Sequence, residues 1–243
     1  KVDSVQCYRY RNARVYTTTV GGTLPYRWRW DDPFVQRTPD AGNLGKGRYS
    51  VLVTDFYGCR DSLTLDVDEP REITPRIISN LYTMQGAHLN VSAQVQPAGN
   101  YRYNWSPYDI VLSGVANRNA EVILREGTWI KLRVFDSKGC EGRDSLFVNV
   151  VLPIRQILPN AFTPNANGLN DGFGLPDLFE VIEFRIYNRW GAEIFRASPD
   201  KQSWDGTFAG ESVPVGSYVF IAKARLKGTD QIVEHSGMVH LLR

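Results

Sequence analysis

The stretch YSVLVTDFYGCRDSLTLDV, beginning at Tyr49, returns at Ile130 as IKLRVFDSKGCEGRDSLFVNV. Each copy has an alternating apolar strand, an Asp-x-x-Gly-Cys turn and a second alternating strand that follows Asp-Ser-Leu. Asp55 matches Asp136, Gly58 matches Gly139, Cys59 matches Cys140 and Leu63 matches Leu146. Period-two alternation across a short Asp/Gly turn predicts a β-hairpin. The carboxylate caps backbone N–H groups there, and the glycine takes the left-handed conformation. Upstream, YRWRW from Tyr26 matches YRYNW from Tyr101. A repeat of about 75–80 residues built from short strands is most simply an immunoglobulin-like β-sandwich.

The fold class expected is therefore all-β, with three consecutive immunoglobulin-like sandwiches over residues 1–70, 71–152 and 153–243. The segments DEPREITP and VVLPIRQILP form the joints, where prolines end strand pairing and stiffen the link. The third region is expected to keep the strand pattern without the Gly-Cys hairpin. Its GSYVFIAKARLKG from Gly216 follows GRYSVLVTD from Gly47, and IEFRIYNRWGAEIF sets two strands around Asn188-Arg189-Trp190-Gly191. The sequence closes on a strand, SGMVHLLR, which ties down the terminus. With 12% aromatic residues, 21 glycines, 13 prolines and only 2 methionines, the composition suits many strands and tight turns.

Charge excludes several functions. Twenty-eight Lys and Arg against 26 Asp and Glu supply no field for phosphate backbones or acidic lipid, so no nucleic-acid partner is expected. No apolar run reaches the eighteen or so residues of a spanning helix, and the chain is not expected to cross a membrane itself. The opening KVDSVQC has no apolar signal core, which suggests a fragment cut from a longer precursor. His88, His235 and His240 fit no zinc-protease, nucleophile-elbow, phosphate-loop or dinucleotide pattern, so no enzyme is expected. His235 and His240 fall on opposite faces of one strand. Asp31 and Asp32 suit a solvated loop better than an acid/base pair. Tyr26, Trp28 and Trp30 share one strand face and are expected in the core, leaving Arg27 and Arg29 in water. If exposed, the same row would stack sugars or bases. Trp190 and Trp204 both stand in glycine turns, each either a lid on the core or an exposed anchor.

Three cysteines fit no zinc or redox spacing. A Cys7–Cys59 disulfide is expected inside the first region, with Cys140 left as a free or buried thiol; three unpaired buried thiols are the alternative. In PNAFTPNANGLNDGF, from Pro159, the residues Asn165, Asn167 and Asp171 offer oxygens around Gly168, loosely like a calcium loop. Only Asp171 carries charge. An Asx-turn between Phe162 and Phe173 as buried anchors is favoured, with no cofactor, and calcium is the alternative.

Taken together, LPNAFTPNANGLNDGF, FRIYNRWGAEIF, WDGTFAG, VPVGSYVF and the closing GMVHLLR make residues 153–243 resemble the type B, gliding motility-associated C-terminal domain of Bacteroidetes type IX secretion substrates. Where that family has Pro-Asn-Gly-Asp-Gly, Ala166 and Asn167 replace the Gly-Asp here, which weakens a calcium site and keeps the turn. Residues 1–70 resemble an SprB-type repeat through VGGTLPYRWRW and GRYSVLVTDFYGC, and 71–152 resemble a PKD module through YNWSP and VFDSKGC. The resemblance implies the C-terminal end of a SprB-like cell-surface adhesin, exported through the periplasm and held at the outer membrane. Its implied partners are the type IX translocon and an outer-membrane β-barrel of the PorP/SprF-like family. The motif residues it marks are Asn160, Phe162, Pro164, Asn165, Gly168, Asn170 and Asp171 in the loop. Further along come Tyr187, Asn188, Arg189, Trp190 and Gly191, then Trp204, Asp205, Gly206, Gly216, Tyr218, Leu242 and Arg243. Two other functions stay open from sequence: the same tail on a secreted enzyme whose catalytic portion lies upstream, and a carbohydrate-binding sandwich.

Overall fold

The computed structural model describes residues 1–243, of which 51% lie in strands and 3% in helix. Burial must therefore come from the inner faces of sheets, and the alternation in the sequence supplies those faces. The class is all-β as expected. In the first region, a sheet of Val2–Asp3, Ala13–Val15 and Ala41–Leu44 faces a sheet of Arg27–Trp30, Gly47–Thr54 and Arg60–Val67. Val5, Val15, Trp30, Leu44, Val51 and Val67 fill the space between them. The middle region encloses Trp105 between a pair of four-stranded sheets, and the indole N–H donates to Asn117 O at 2.9 Å.

The last region is built differently. A five-stranded sheet runs in the order Ala161–Phe162, Ile232–Leu241, Gly216–Leu226, Phe179–Tyr187, Glu193–Arg196. Opposite it stand only two short ribbons, Phe173–Gly174 with Ser203–Trp204, and Thr207–Phe208 with Glu211–Ser212. Large aromatic side chains make up the missing layer: Phe162, Phe173, Phe184, Trp204, Tyr218 and Phe220 pack together as one cluster.

Recurring local chemistry links the regions. Gly58 and Gly139, at φ 87° and 86°, close equivalent turns. The Cys59 amide donates to Asp55 Oδ1 at 2.8 Å, and the Cys140 amide to Asp136 Oδ1 at 2.9 Å. The last region lacks the Gly-Cys pair, as expected, but its turn at Asn188-Arg189-Trp190-Gly191 has the same geometry. In it the Ala192 amide donates to Asn188 Oδ1 at 3.0 Å, and Gly191 takes φ 79°. Asn accepts as Asp does and Ala stands where Cys stood, so the motif was hidden by two substitutions. A second recurrence is a tyrosine hydroxyl bonded to the carbonyl four residues back, at Tyr49–Gly45, Tyr101–Pro97 and Tyr218–Pro214. This is the corner that fixes a strand to its incoming loop in immunoglobulin-like sandwiches.

Four sequence expectations are corrected. Thr54 pairs with Arg60 and Phe135 with Glu141, so strand register sets Leu65, not Leu63, against Leu146. The Asp-Ser-Leu match was displaced by two residues, a shift that alternation tolerates because it keeps the same face. Asp32 is buried, accepting from the Phe34 and Gln36 amides and from Gln36 Nε2. Desolvation pushes its carboxyl up, but these donors outweigh it and hold it below the ordinary range. Cys7 bonds Cys140, not Cys59, with the Cα atoms 5.4 Å apart. Cys140 is accordingly no free thiol, and Cys59 is free and exposed. The reason is distance along the sheet: the eight residues of Gly47–Thr54 rise about 26 Å, which separates the Cys59 turn from the end where Cys7 lies.

Both joints are packed. Gly142 lies against the incoming linker, where a Cβ would stand 2.4 Å from Ile73 O and 2.8 Å from Pro75 Cδ. At the second joint Met84 and Val151 pack into the aromatic cluster of the last region. There Gln231 Oε1 accepts from the Met84 amide at 2.8 Å, and its Nε2 donates to Thr83 Oγ1 at 3.0 Å.

Candidate functional site

The strand Gly216–Leu226 runs the length of the last region, with Leu226 near the Gln231 joint and Gly216 at the far end. Its eleven residues rise about 36 Å, so the Gly216 end is a free pole, distant from the middle region. The motifs of the sequence converge on that pole. The Asn160 carbonyl accepts from the His240 amide and the Phe162 carbonyl from the Leu242 amide, so the opening of the loop holds the terminal strand in parallel. Gly206 packs between Pro164 and Leu241, where an added Cβ would meet each at 3.1 Å. Three stretches far apart in sequence are thus one body.

Most motif side chains are structural. Phe162, Trp204 and Tyr218 are buried in the cluster, and the Trp204 indole N–H donates to Thr207 O at 2.9 Å. The two turn tryptophans separate here: Trp204 is 0% exposed and Trp190 is 75% exposed. Tyr187 and Asn188 are half-buried, the latter accepting from the Trp190 amide as well. Asp205 accepts from the Thr207 amide and hydroxyl and pairs with Lys201 Nζ at 2.8 Å.

The loop from Thr163 to Asp171 is a closed Asx network. Asp171 Oδ1 accepts from the Asn165 and Ala166 amides at 2.9 and 2.8 Å, and Oδ2 from the Gly168 amide at 2.7 Å. Asn165 Oδ1 accepts from the Asn167 amide and Asn167 Oδ1 from the Leu169 amide. Ala166, Gly168 and Asn170 take φ of 58°, 83° and 53°, the left-handed geometry that the Asn/Gly composition permits. Desolvation raises the Asp171 carboxyl, yet the donated amides prevail and keep it below its ordinary value. The side-chain oxygens of Asn165, Asn167 and Asp171 thus all accept from backbone amides.

What remains on the surface is a compact set. Arg189 stacks its guanidinium over the Trp190 ring, 4.2 Å from the centroid. Beside them opens a groove of about 360 Å³, lined by Trp190, Ile194, Phe208, Val213, Val215 and Tyr218 among others. Phe208, Val215 and Leu242 are exposed. Burial raises the Tyr218 hydroxyl pKa, against the opposing charges of Arg243 and Arg189. The arrangement is an apolar, aromatic groove with Arg189 as the one charged residue of its lining. The histidines lie elsewhere, each with its own partner: His88 on Glu121, His235 edge-on to Phe220 and His240 on Ser217. In the Tyr26–Trp28–Trp30 row, Trp30 is buried and Trp28 packs half-buried against the core, while Tyr26 is half-buried, edge-on to Trp28; Arg27 and Arg29 are exposed. The groove itself was missed from sequence; the apolar run Val213–Val215 next to the Gly216 corner was its only signal.

No curated protein matches the chain. Among solved structures, murine CEACAM1b is 11% identical, covering 58% of this chain and 93% of its own, at TM-score 0.27. Drosophila N-cadherin EC1-4 is 10% identical, covering 94% and 69%, at TM-score 0.31. Dimeric latent PorU from Porphyromonas gingivalis is 12% identical, covering 87% and 24%, at TM-score 0.22. The family model of the CHU_C type IX secretion signal domain matches residues 156–241, which span the motifs just described except for the last two residues, Leu242 and Arg243. Residues 156–241 thus match a type IX secretion signal domain, which indicates a secreted protein sorted by that system.

Proposed function

We propose that the chain is the C-terminal portion of a secreted cell-surface adhesin without catalytic activity, in which residues 1–70 and 71–152 are SprB-repeat-like and PKD-like stalk modules and residues 153–243 are the sorting and anchoring tail. The tail works by binding. Its aromatic cluster makes a rigid body, and its free pole docks on the type IX machinery and on an outer-membrane β-barrel of the PorP/SprF-like family. The observation that supports this most is the pairing of an exposed tryptophan with a stacked arginine beside an open apolar groove. Tryptophan and arginine are the residue types that dominate binding hot spots. The pole also lies at the end of the molecule farthest from the stalk modules, where a barrel at the membrane can reach it without obstruction.

Deletion of residues 153–243 in a host with a working type IX system is expected to leave the protein in the periplasm; undiminished surface display of the truncated protein refutes the sorting role. Docking is tested separately with Trp190→Ala and with Leu242→Ala, which keeps the backbone amide that donates to Phe162 O. Both variants are expected to keep their melting temperature and to lose surface anchoring. We propose that docking uses no metal, a reading supported by the engagement of Asp171 with backbone amides. Surface display and thermal stability should accordingly be the same in excess calcium and in chelator.

A further inference from the structure

Cys59 is the only cysteine outside a disulfide, and its thiol is exposed. Its counterpart in the middle region, Cys140, occupies the same Asp-x-x-Gly-Cys turn with the same amide-to-carboxylate bond and the same left-handed glycine. Cys140, however, is joined to Cys7 of the region that precedes it.

Hydrogen bonds fix which end of the first region each cysteine occupies. At the entry end the Tyr16 amide donates to Lys1 O at 2.8 Å, and the following Thr17–Gly22 segment lines a cleft of about 260 Å³ together with Cys59. At the exit end the Val5 amide donates to Asp68 O at 3.1 Å and the Arg9 amide to Glu69 Oε2 at 2.8 Å, with Cys7 between them. The disulfide seen thus runs from an exit-end cysteine to the entry-end hairpin of the following region. It is seconded by a hydrogen bond from Gln6 Nε2 to Lys138 O at 2.9 Å. In the first region the same hairpin position points away from the chain that follows. Phe56, Tyr57 and Leu24 are exposed around it, Tyr57 to 76%, where the hairpin of the middle region has the polar Ser137 and Lys138.

We propose that Cys59 is the acceptor of a second inter-module disulfide, and that its donor is the exit-end cysteine of an immunoglobulin-like module of the first region's own kind placed immediately ahead of Lys1. The exposed aromatic residues and the adjoining cleft form the seat for that module. The bond forms when the two thiols together lose two protons and two electrons to a disulfide oxidant, which is itself reduced to two thiols. Glutathione disulfide serves in the test tube, and the disulfide oxidases of an export compartment serve in the cell. A stalk made in this way is covalently clamped at the joints ahead of the first and middle regions, so load passes there through disulfides as well as through linkers. The proposal is independent of what the C-terminal pole binds.

The test extends the full chain at Lys1 with an added copy of residues 1–72 and oxidises it in a glutathione buffer. Peptide mapping without reduction is expected to give a link between the added copy's Cys7 and the original Cys59, with Cys7–Cys140 retained and the added Cys59 open to alkylation. Recovery of the original Cys59 in alkylated form, in protein that retains Cys7–Cys140, overturns the proposal. A second measurement does not depend on the fusion folding: the unmodified chain is treated with a peptide of residues 2–12 carrying an activated disulfide at Cys7. Mixed-disulfide formation at Cys59 should be about tenfold faster than with a scrambled peptide, the equivalent of about 1.4 kcal/mol of specific contact. Equal rates overturn the proposal.

Discussion

Trp204 and Trp190 stand fourteen positions apart in similar glycine turns, and their contributions are opposite. Trp204 is enclosed by Phe162 and Tyr218 with its N–H satisfied, so Trp204→Ala opens a cavity. Thermal unfolding should register a loss of about 3–5 kcal/mol. Trp190 touches little besides Arg189, and Trp190→Ala should stay within about 0.5 kcal/mol. Sequence could not separate the two, because burial depends on which strands cross overhead, and that is set by residues far away in the chain. Asp171 was legible, since its role uses amides only three to six positions away. Its folded carboxyl lies below the ordinary 3.8, so its contribution is full above that value and disappears as pH falls through the folded pKa. Asp171→Asn should therefore melt earlier than the parent at pH 7, and the difference measured by circular dichroism should vanish in strong acid.

Hairpins were the most readable elements. Two Asp-x-x-Gly-Cys turns were evident from the residues, as was the Asn188–Gly191 turn, but its kinship with them was hidden because Asn188 and Ala192 replace the residues that made the pattern visible. The aromatic layer of the last region was not legible, since nothing in the alternation of its strands tells whether a sheet or a set of ribbons lies opposite. The joints were recognisable as proline-rich links but not as packed contacts. Gly142 shows the difference, for only the approach of Ile73 and Pro75 makes its lack of a side chain necessary. Gly142→Ala should cost about 1–3 kcal/mol through overpacking. Limited proteolysis should then cut faster within residues 68–74, with the cores on either side intact; unchanged cleavage would show that the linker accommodates a methyl group.

As a molecule, the chain is braced at both joints by different means. A disulfide closing 133 residues secures the first, worth about 5 kcal/mol in the chain-entropy account. Shared core residues and Gln231 secure the second. Replacing Cys7 and Cys140 by Ser should change the solution scattering profile, raising the radius of gyration and the flexibility of the whole. An identical profile would assign the stiffness of the first joint to the linker alone. A rigid connection matters for the proposed tail, because it fixes the direction in which the stalk leaves the docking pole.

By itself the sequence determined the β class, the turns and the motif-bearing C-terminal region, because side-chain alternation and turn chemistry act over a few residues. Only the tertiary structure decided that Cys7 reaches forward to Cys140, that Trp190 is the exposed tryptophan, and that motifs separated along the chain meet at one pole. Those outcomes follow from strand length and sheet order, which place residues tens of ångströms apart or in contact whatever their local patterns share.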